Sequence, residues 1–213
     1  DTAVSQIVAA SLLNIIGSLY ISRLFEPETV SDISYVETKS SLVYDSTMDA
    51  LAKGTRDGIT LAVNVGAMVL VLVSLVALAN GVLSIVNLFE TTLSLERIFG
   101  WVFSPIAWLI GIPWDESAIG GSLLGTKLVL NELVAFIQLA EVAPELSEHS
   151  IKVLTFALCG FANFGSLGIL LGGLYILVPE RREETIRIAP KSIMSGTMVT
   201  LMSASLVSVI TSI

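Results

Sequence analysis

Ala118-Ile119-Gly120-Gly121-Ser122-Leu123-Leu124-Gly125-Thr126-Lys127-Leu128-Val129-Leu130-Asn131-Glu132-Leu133-Val134-Ala135-Phe136-Ile137-Gln138-Leu139-Ala140 decides how this chain folds. Two apolar pieces, 118–126 and 133–140, flank a polar centre that carries Lys127, Asn131 and Glu132. A helix needs about 20 apolar residues to cross a hydrocarbon core, and neither piece has them. Together they read as a re-entrant hairpin, in on one half-helix and out on the next. Backbone of that kind is tolerated at membrane depth only where protein or water covers it.

The rest of the chain supplies the membrane setting. Of its 213 residues, 54% are hydrophobic and 14% charged, against about 25% charged in an ordinary soluble domain. Mean hydropathy is +0.84. Residues 2–22, 59–89, 153–178 and 192–213 contain no charge at all, and each is long enough to span. Rich in Leu, Val, Ile, Ala, Gly and Ser, they suit helices packed through small residues better than barrel strands. The expected fold is an all-α polytopic membrane protein: spanning helices, interfacial helices, a re-entrant helical hairpin and a broken helix. A net charge of −8 argues against nucleic acid, whose phosphates require basic patches. One cysteine, Cys159, and one histidine, His149, leave no disulfide and no zinc, haem or other metal site to expect. The chain opens Asp1-Thr2-Ala3 just before a span, so we expect a fragment of a longer protein.

The pattern divides the chain into a spanning helix over 1–24, a cytoplasmic loop and interfacial helix over 25–58, a long spanning helix over 59–90, an interfacial segment over 91–114, the hairpin over 115–145, and a broken spanning helix, cytoplasmic loop and final spanning helix over 150–213. The interfacial helix is the amphipathic run 48–57, and the segment 91–114 carries Trp101, Trp108 and Trp114, a residue that favours the membrane–water boundary. Asn64, Asn80 and Asn87 read as helix–helix or interfacial contacts. Basic residues set the orientation. Arg23, Lys39, Lys53 and Arg56 flank or occupy the first polar segment, and Arg181, Arg182, Arg187 and Lys191 lie in the second, over 179–191. The positive-inside rule makes both cytoplasmic, so the hairpin enters from the opposite side.

Ionisable residues inside an apolar stretch are expensive and usually face a cavity or each other. Lys127 and Glu132 therefore read either as a structural ion pair at the hairpin tip or as part of a polar substrate site. A carboxylate can accept two hydroxyl hydrogen bonds at once, as a sugar diol requires. A second polar cluster lies in Cys159-Gly160-Phe161-Ala162-Asn163-Phe164-Gly165-Ser166-Leu167-Gly168. Glycine at this density is costly in a helix interior; it fits an unwound middle with exposed polar backbone, or close packing through glycine. Asn163 offers both donor and acceptor, Ser166 adds a hydroxyl one turn on, and Phe161 can cover a flat ring. Sugars and polar amino acids could use the same set.

The two clusters carry a more specific resemblance. Gly125-Thr126-Lys127-Leu128-Val129-Leu130-Asn131-Glu132-Leu133-Val134-Ala135-Phe136 is similar to the G-x-K-x-x-x-N-E-F-x-A motif of concentrative nucleoside transporters, the NupC-like family. Residues 159–166 followed by Gly172-Gly173 resemble that family's second hallmark, and Asp57-Gly58-Ile59, 62–68 and Pro179-Glu180-Arg181-Arg182 also match its pattern. The resemblance implies the C-terminal half of an Na+- or H+-coupled nucleoside symporter: a multi-pass homotrimer of the bacterial inner membrane, with the lipid bilayer and nucleosides as its partners. By the same resemblance, Glu132 binds ribose from the hairpin. Asn131, Phe161, Asn163 and Ser166 line the same pocket, supported by Gly125, Thr126 and Lys127. The long helix over 59–90 is scaffold, and the hairpin with the last two spans is transport domain. No organic cofactor is implied. The coupling-ion ligands are expected mainly in the N-terminal half, which carries the family's first hairpin and is missing from this sequence, so this chain alone should not transport. Leu133 stands where the family has an aromatic residue.

Three other classes compete: a secondary transporter of another small polar solute, a structural subunit or channel with no substrate pocket, and a membrane-embedded enzyme with Cys159 or Ser166 as nucleophile and His149 as base. The last is disfavoured because no residue evidently orients His149.

Overall fold

The computed structural model describes residues 2–27, 44–85, 87–88, 91–177 and 181–211. Lys39, Pro179 and Glu180, and the side chains of Asn64 and Asn87, lie outside the described residues. In chain order the helices are α1 (Thr2–Phe25), α2 (Thr47–Leu83), α3 (Leu95–Leu109), α4 (Ser117–Val129), α5 (Glu132–Val142), α6 (Glu148–Leu158), α7 (Phe164–Leu177) and α8 (Arg182–Thr211). A short 3-10 turn covers Ala143–Glu145, and the only strand pairing among the described residues is a two-residue antiparallel ribbon, β1 (Asn87–Leu88) with β2 (Thr91–Thr92). Two of the described helical segments, Val4–Phe25 and Arg182–Thr211, are long and apolar enough to cross a membrane.

The element boundaries differ from the sequence reading in three places. The amphipathic run 48–57 is no separate interfacial helix; it is the start of α2, which continues unbroken for 37 residues. Ser46 caps it by accepting a hydrogen bond from the Asp49 amide at 3.2 Å, and extending an existing helix costs less than nucleating another. Likewise the polar segment 179–191 is mostly the first turns of α8, with Pro190 inside the helix. At the other end of α2, the helix stops at Leu83 rather than continuing to residue 90. The chain then turns through the ribbon into α3, whose first turn is tied back to α2. Asn80 accepts from the Leu95 amide at 2.8 Å and donates to both Glu96 carboxylate oxygens at 3.0 Å.

α3 runs straight through Gly100 and Pro105 and packs across α4 by means of small residues. A Cβ on Gly121 would stand 2.7 Å from the Ser104 amide nitrogen and 2.8 Å from the Gly100 carbonyl oxygen, and one on Gly125 would overlap the Phe99 ring. Gly-x-x-x-Gly on α4 thus lets two backbones touch, the usual device for packing helices without a hydrophobic driving force. Past α3 the chain reverses at Gly111, whose φ of 104° only glycine adopts without strain.

Beneath this crossing lies the core, where Ala107, Leu123, Ala135, Leu139, Leu154, Ala157, Leu158, Ala10 and Ala204 are buried together. It joins α1, α3, α4, α5, α6 and α8. α1 lies along α8, where a Cβ on Gly17 would meet Val199 at 3.0 Å. At the C-terminal end of α1, Glu26 pairs with Lys191 and with Arg187 at 3.7 Å. The Lys191 hydrogen bond, followed by its charge, holds the Glu26 carboxyl below its ordinary value. α2, by contrast, leaves Ile59, Val63, Leu70, Leu75, Leu78 and Val82 exposed.

Candidate functional site

Two helix starts, those of α5 and α7, meet beside the core. Leu130 and Asn131 form the bend between α4 and α5, and Asn131 caps α5 by accepting from the Val134 amide at 2.9 Å. The chain spacing that makes Asn131 the cap makes Glu132 the first residue of α5, where the positive end of the helix dipole favours a carboxylate. The second start follows the interruption of the helix between Leu158 and Phe164. Asn163 accepts from the Ser166 amide at 2.7 Å, and its own amide points back to the Ser166 hydroxyl at 3.3 Å. This reciprocal pair is a capping box built from Asn and Ser.

These caps bring the two clusters into contact. The Asn163 amide nitrogen donates to a Glu132 carboxylate oxygen at 3.0 Å. Asn163 is 2% exposed, whereas Glu132 is half-buried. The carboxylate retains capacity for further donors. Of the other expected site residues, Phe161 is 81% exposed and edges a cleft of about 230 Å³ with Ser166, Leu167, Leu170, Ser192 and Ile193. The Ser166 hydroxyl is already engaged, facing the Phe161 carbonyl at 2.5 Å and the Asn163 carbonyl at 2.9 Å. Its local role is to hold the start of α7; since it also accepts from the Asn163 backbone amide, one lone pair is left to accept.

Lys127 does not pair with Glu132. It is 3% exposed and donates to the Ala157 carbonyl at 2.8 Å and to the Thr200 hydroxyl at 2.9 Å. Thr126 beside it is buried, and Gly125 gives way to Phe99. The alternatives for Lys127 and Glu132 therefore separate: one is bound to a helix end, the other looks to Asn163. The side chain that sequence reasoning missed is Asn14 of α1. Its amide nitrogen donates to the Cys159 carbonyl at 2.6 Å, and its oxygen accepts from Ser203 at 2.7 Å. A single asparagine in a charge-free span was its only sequence signal.

The residues proposed for enzyme chemistry are far apart. His149 and Cys159 sit at opposite ends of α6, about 15 Å along the axis for ten residues at ~1.5 Å each. His149 does have partners: Nε2 faces the Gly111 carbonyl at 3.1 Å and the Ser208 hydroxyl at 3.3 Å, and Nδ1 faces the Thr211 hydroxyl at 3.2 Å. They join the Gly111 turn to the end of α8. Nearby, Glu116 accepts from the Ser147 amide at 3.2 Å and hydroxyl at 3.0 Å. Burial pushes the Glu116 carboxyl up, but hydrogen bonds from Ser150 and Ser147 and the proximity of His149 outweigh it, and the net shift is downward. Among the described residues, no group of three or more His, Cys, Asp or Glu side chains could hold a metal ion.

Known proteins match this chain over nearly its full length. The family described as "Na+ dependent nucleoside transporter C-terminus" matches residues 6–208. The uncharacterized transporter YutK of Bacillus subtilis is 41% identical over 95% of this chain and 52% of its own length. The nucleoside permease NupC of Helicobacter pylori is 36% identical over 94% of this chain and 49% of its own. A solved structure of CNTnw in an intermediate state superimposes with a TM-score of 0.85 at 37% identity, covering 98% of this chain and 52% of that one. The chain thus spans about half the length of these relatives.

Proposed function

The chain belongs to the concentrative nucleoside transporter family, and on that premise we propose that it forms the C-terminal half of an ion-coupled importer of nucleosides, an Na+ or H+ symporter of the bacterial inner membrane. Glu132 accepts the two ribose hydroxyls. Asn163 orients the Glu132 carboxylate and reads a polar edge of the ligand; Phe161 covers a ring face, with Asn131 and Ser166 shaping the pocket wall. The observation that carries this reading is the 3.0 Å hydrogen bond from Asn163 to Glu132 at the meeting point of two helix starts. Broken helices with their ends turned toward the substrate are how transporters build sites at mid-membrane.

In this reading α4 and α5 form a re-entrant hairpin, and α6 and α7 are the halves of a broken spanning helix. With α8 they move as the transport domain, while α2 is scaffold. The exposed apolar residues of α2 support contact with lipid or with other copies in a homotrimer. The family name and the relative "Sodium/nucleoside cotransporter 1" of mouse favour sodium as the coupling ion. The N-terminal half supplies the ion ligands and the remainder of the pocket, so transport requires the complete protein.

The test is uptake of labelled uridine and adenosine by the complete parent protein in cells lacking their own nucleoside importers. Uptake that requires a sodium gradient supports the reading as stated. Sodium-independent uptake that collapses with the proton gradient assigns H+ instead. No uptake of either nucleoside overturns the substrate.

A further inference from the structure

Breaking a helix inside the fold leaves carbonyl oxygens that must find donors, because an unpaired buried carbonyl is costly. At the end of α6 each of the last four has one. The Phe156 carbonyl accepts from the Cys159 amide at 3.2 Å and the Leu158 carbonyl from the Gly160 amide at 2.9 Å. The other two are met by side chains from distant helices: Ala157 by Lys127 of α4, and Cys159 by Asn14 of α1. α8 stands behind both donors. Thr200 gives its own hydrogen to the Thr197 carbonyl at 3.0 Å and so can accept from Lys127. One turn on, Ser203 donates to Asn14. Gly160 makes the approach possible, since a Cβ there would stand 2.5 Å from the Thr200 methyl carbon.

We propose that Lys127 and Asn14 form a two-point clamp on the broken end of α6, in which the Lys127 ammonium acts as a tethered cation at the negative end of the helix, and that this clamp sets the register in which Asn163 reaches Glu132. Both are positioning residues; neither touches the ligand. The inference rests on the proposed nucleoside site for its effect on affinity, but the clamp itself does not. A free cation could occupy such a carbonyl-ended site and dissociate; an ammonium carried on the chain keeps this half of the pocket assembled throughout the cycle. Charge-assisted bonds to a helix end are the strong kind, and the helix dipole adds to them.

Two readouts separate the clamp from the nucleoside reading. The complete protein is prepared with every cysteine except Cys159 replaced by serine. The labelling rate of Cys159 by a membrane-permeant maleimide then reports on the break without any ligand. Lys127→Ala is expected to speed labelling by on the order of tenfold, the factor carried by one charge-assisted hydrogen bond. It is also expected to weaken uridine binding by a similar factor, and methylammonium should reverse both effects, because it can return a cation to the oxygen-lined space. In Glu132→Gln, labelling should stay unchanged and methylammonium should restore nothing. Should Lys127→Ala fail to fold, Thr200→Val removes one partner of the ammonium at nearly constant volume, and it should speed labelling in the same direction. Unchanged Cys159 labelling in a folded Lys127→Ala or Thr200→Val protein overturns the clamp. So does faster labelling that methylammonium leaves untouched in Lys127→Ala. Normal clamp behaviour in a parent protein that binds no nucleoside would instead overturn the substrate reading alone.

Discussion

Replacing Glu132 by Gln in the complete protein removes one negative charge at nearly constant volume and puts an amide where the carboxylate stands. In the wild-type site that carboxylate already accepts from Asn163 at 3.0 Å, and the ribose diol is expected to add two donors. Hydrogen bonds to a charged group contribute about 1.5–3 kcal/mol and neutral ones about 0.5–1.5 kcal/mol, so each diol bond weakens by about 1–1.5 kcal/mol. The glutamine oxygen can still accept from the Asn163 amide, but it offers fewer acceptor sites than the carboxylate, so one diol hydroxyl has to accept from the new amide instead of donating. The loss comes to about 3 kcal/mol, or roughly 100-fold in Kd at ~1.4 kcal/mol per tenfold. The assay is calorimetric titration of uridine into purified parent protein and its Glu132→Gln variant, with circular dichroism and gel filtration to show that the fold is kept. Asn131 still caps α5 in the variant, so insertion and folding should be intact. A Kd within about threefold of wild type in a folded variant, less than the effect of one hydrogen bond, would refute the role assigned to Glu132.

Two further outcomes follow from the surrounding geometry. Gly121→Ala should lower thermal stability: the new methyl meets the Ser104 amide and Gly100 carbonyl, backbone that cannot swing aside. The expected loss is about 1–3 kcal/mol from overpacking, read as a fall in Tm. Glu116 gives a pH dependence with a definite sign. Its carboxyl is held below its ordinary value in the fold, so its contribution is fully present above the unfolded value of about 4.3 and is lost as pH falls through the lower folded value. Stability measured from pH 6 downward should drop over that acid range in wild type. The drop should be shallower in Glu116→Gln, and equal slopes would count against the Ser147 and Ser150 contacts.

Apolar run lengths carried the helices, and polar or ionisable residues inside apolar stretches pointed to the candidate site. Asn131 followed by Glu132, and Asn163 followed by Ser166, sit where helices begin, and in both cases the residue types that cap are the types a polar ligand needs. What composition could not carry was where a polar segment ends as a loop and where it continues as helix. Residues 47–58 and 182–191 are polar by composition yet helical by continuity with the apolar runs that follow them. The crossing of α3 over α4 was hidden for another reason. Gly100, Pro105 and Gly111 look like interruptions in one dimension, but the first is a contact surface and the second is absorbed inside the helix; only Gly111 turns the chain. The fate of Lys127 depended on a partner 73 residues away, Thr200, and that of Cys159 on Asn14. Pairings over that distance leave no local trace in a single sequence.

The measurement that bears most directly on the central claim is a two-by-two comparison of Kd in the complete protein: uridine and 2′,3′-dideoxyuridine, each on wild type and on Glu132→Gln. If Glu132 reads the ribose diol, either change alone should weaken binding and the second should add little to the first, a coupling of at least about 1–2 kcal/mol between groups in contact. Additive losses, within about 0.5 kcal/mol, would mean that Glu132 and the diol do not meet, and the site would have to be moved elsewhere.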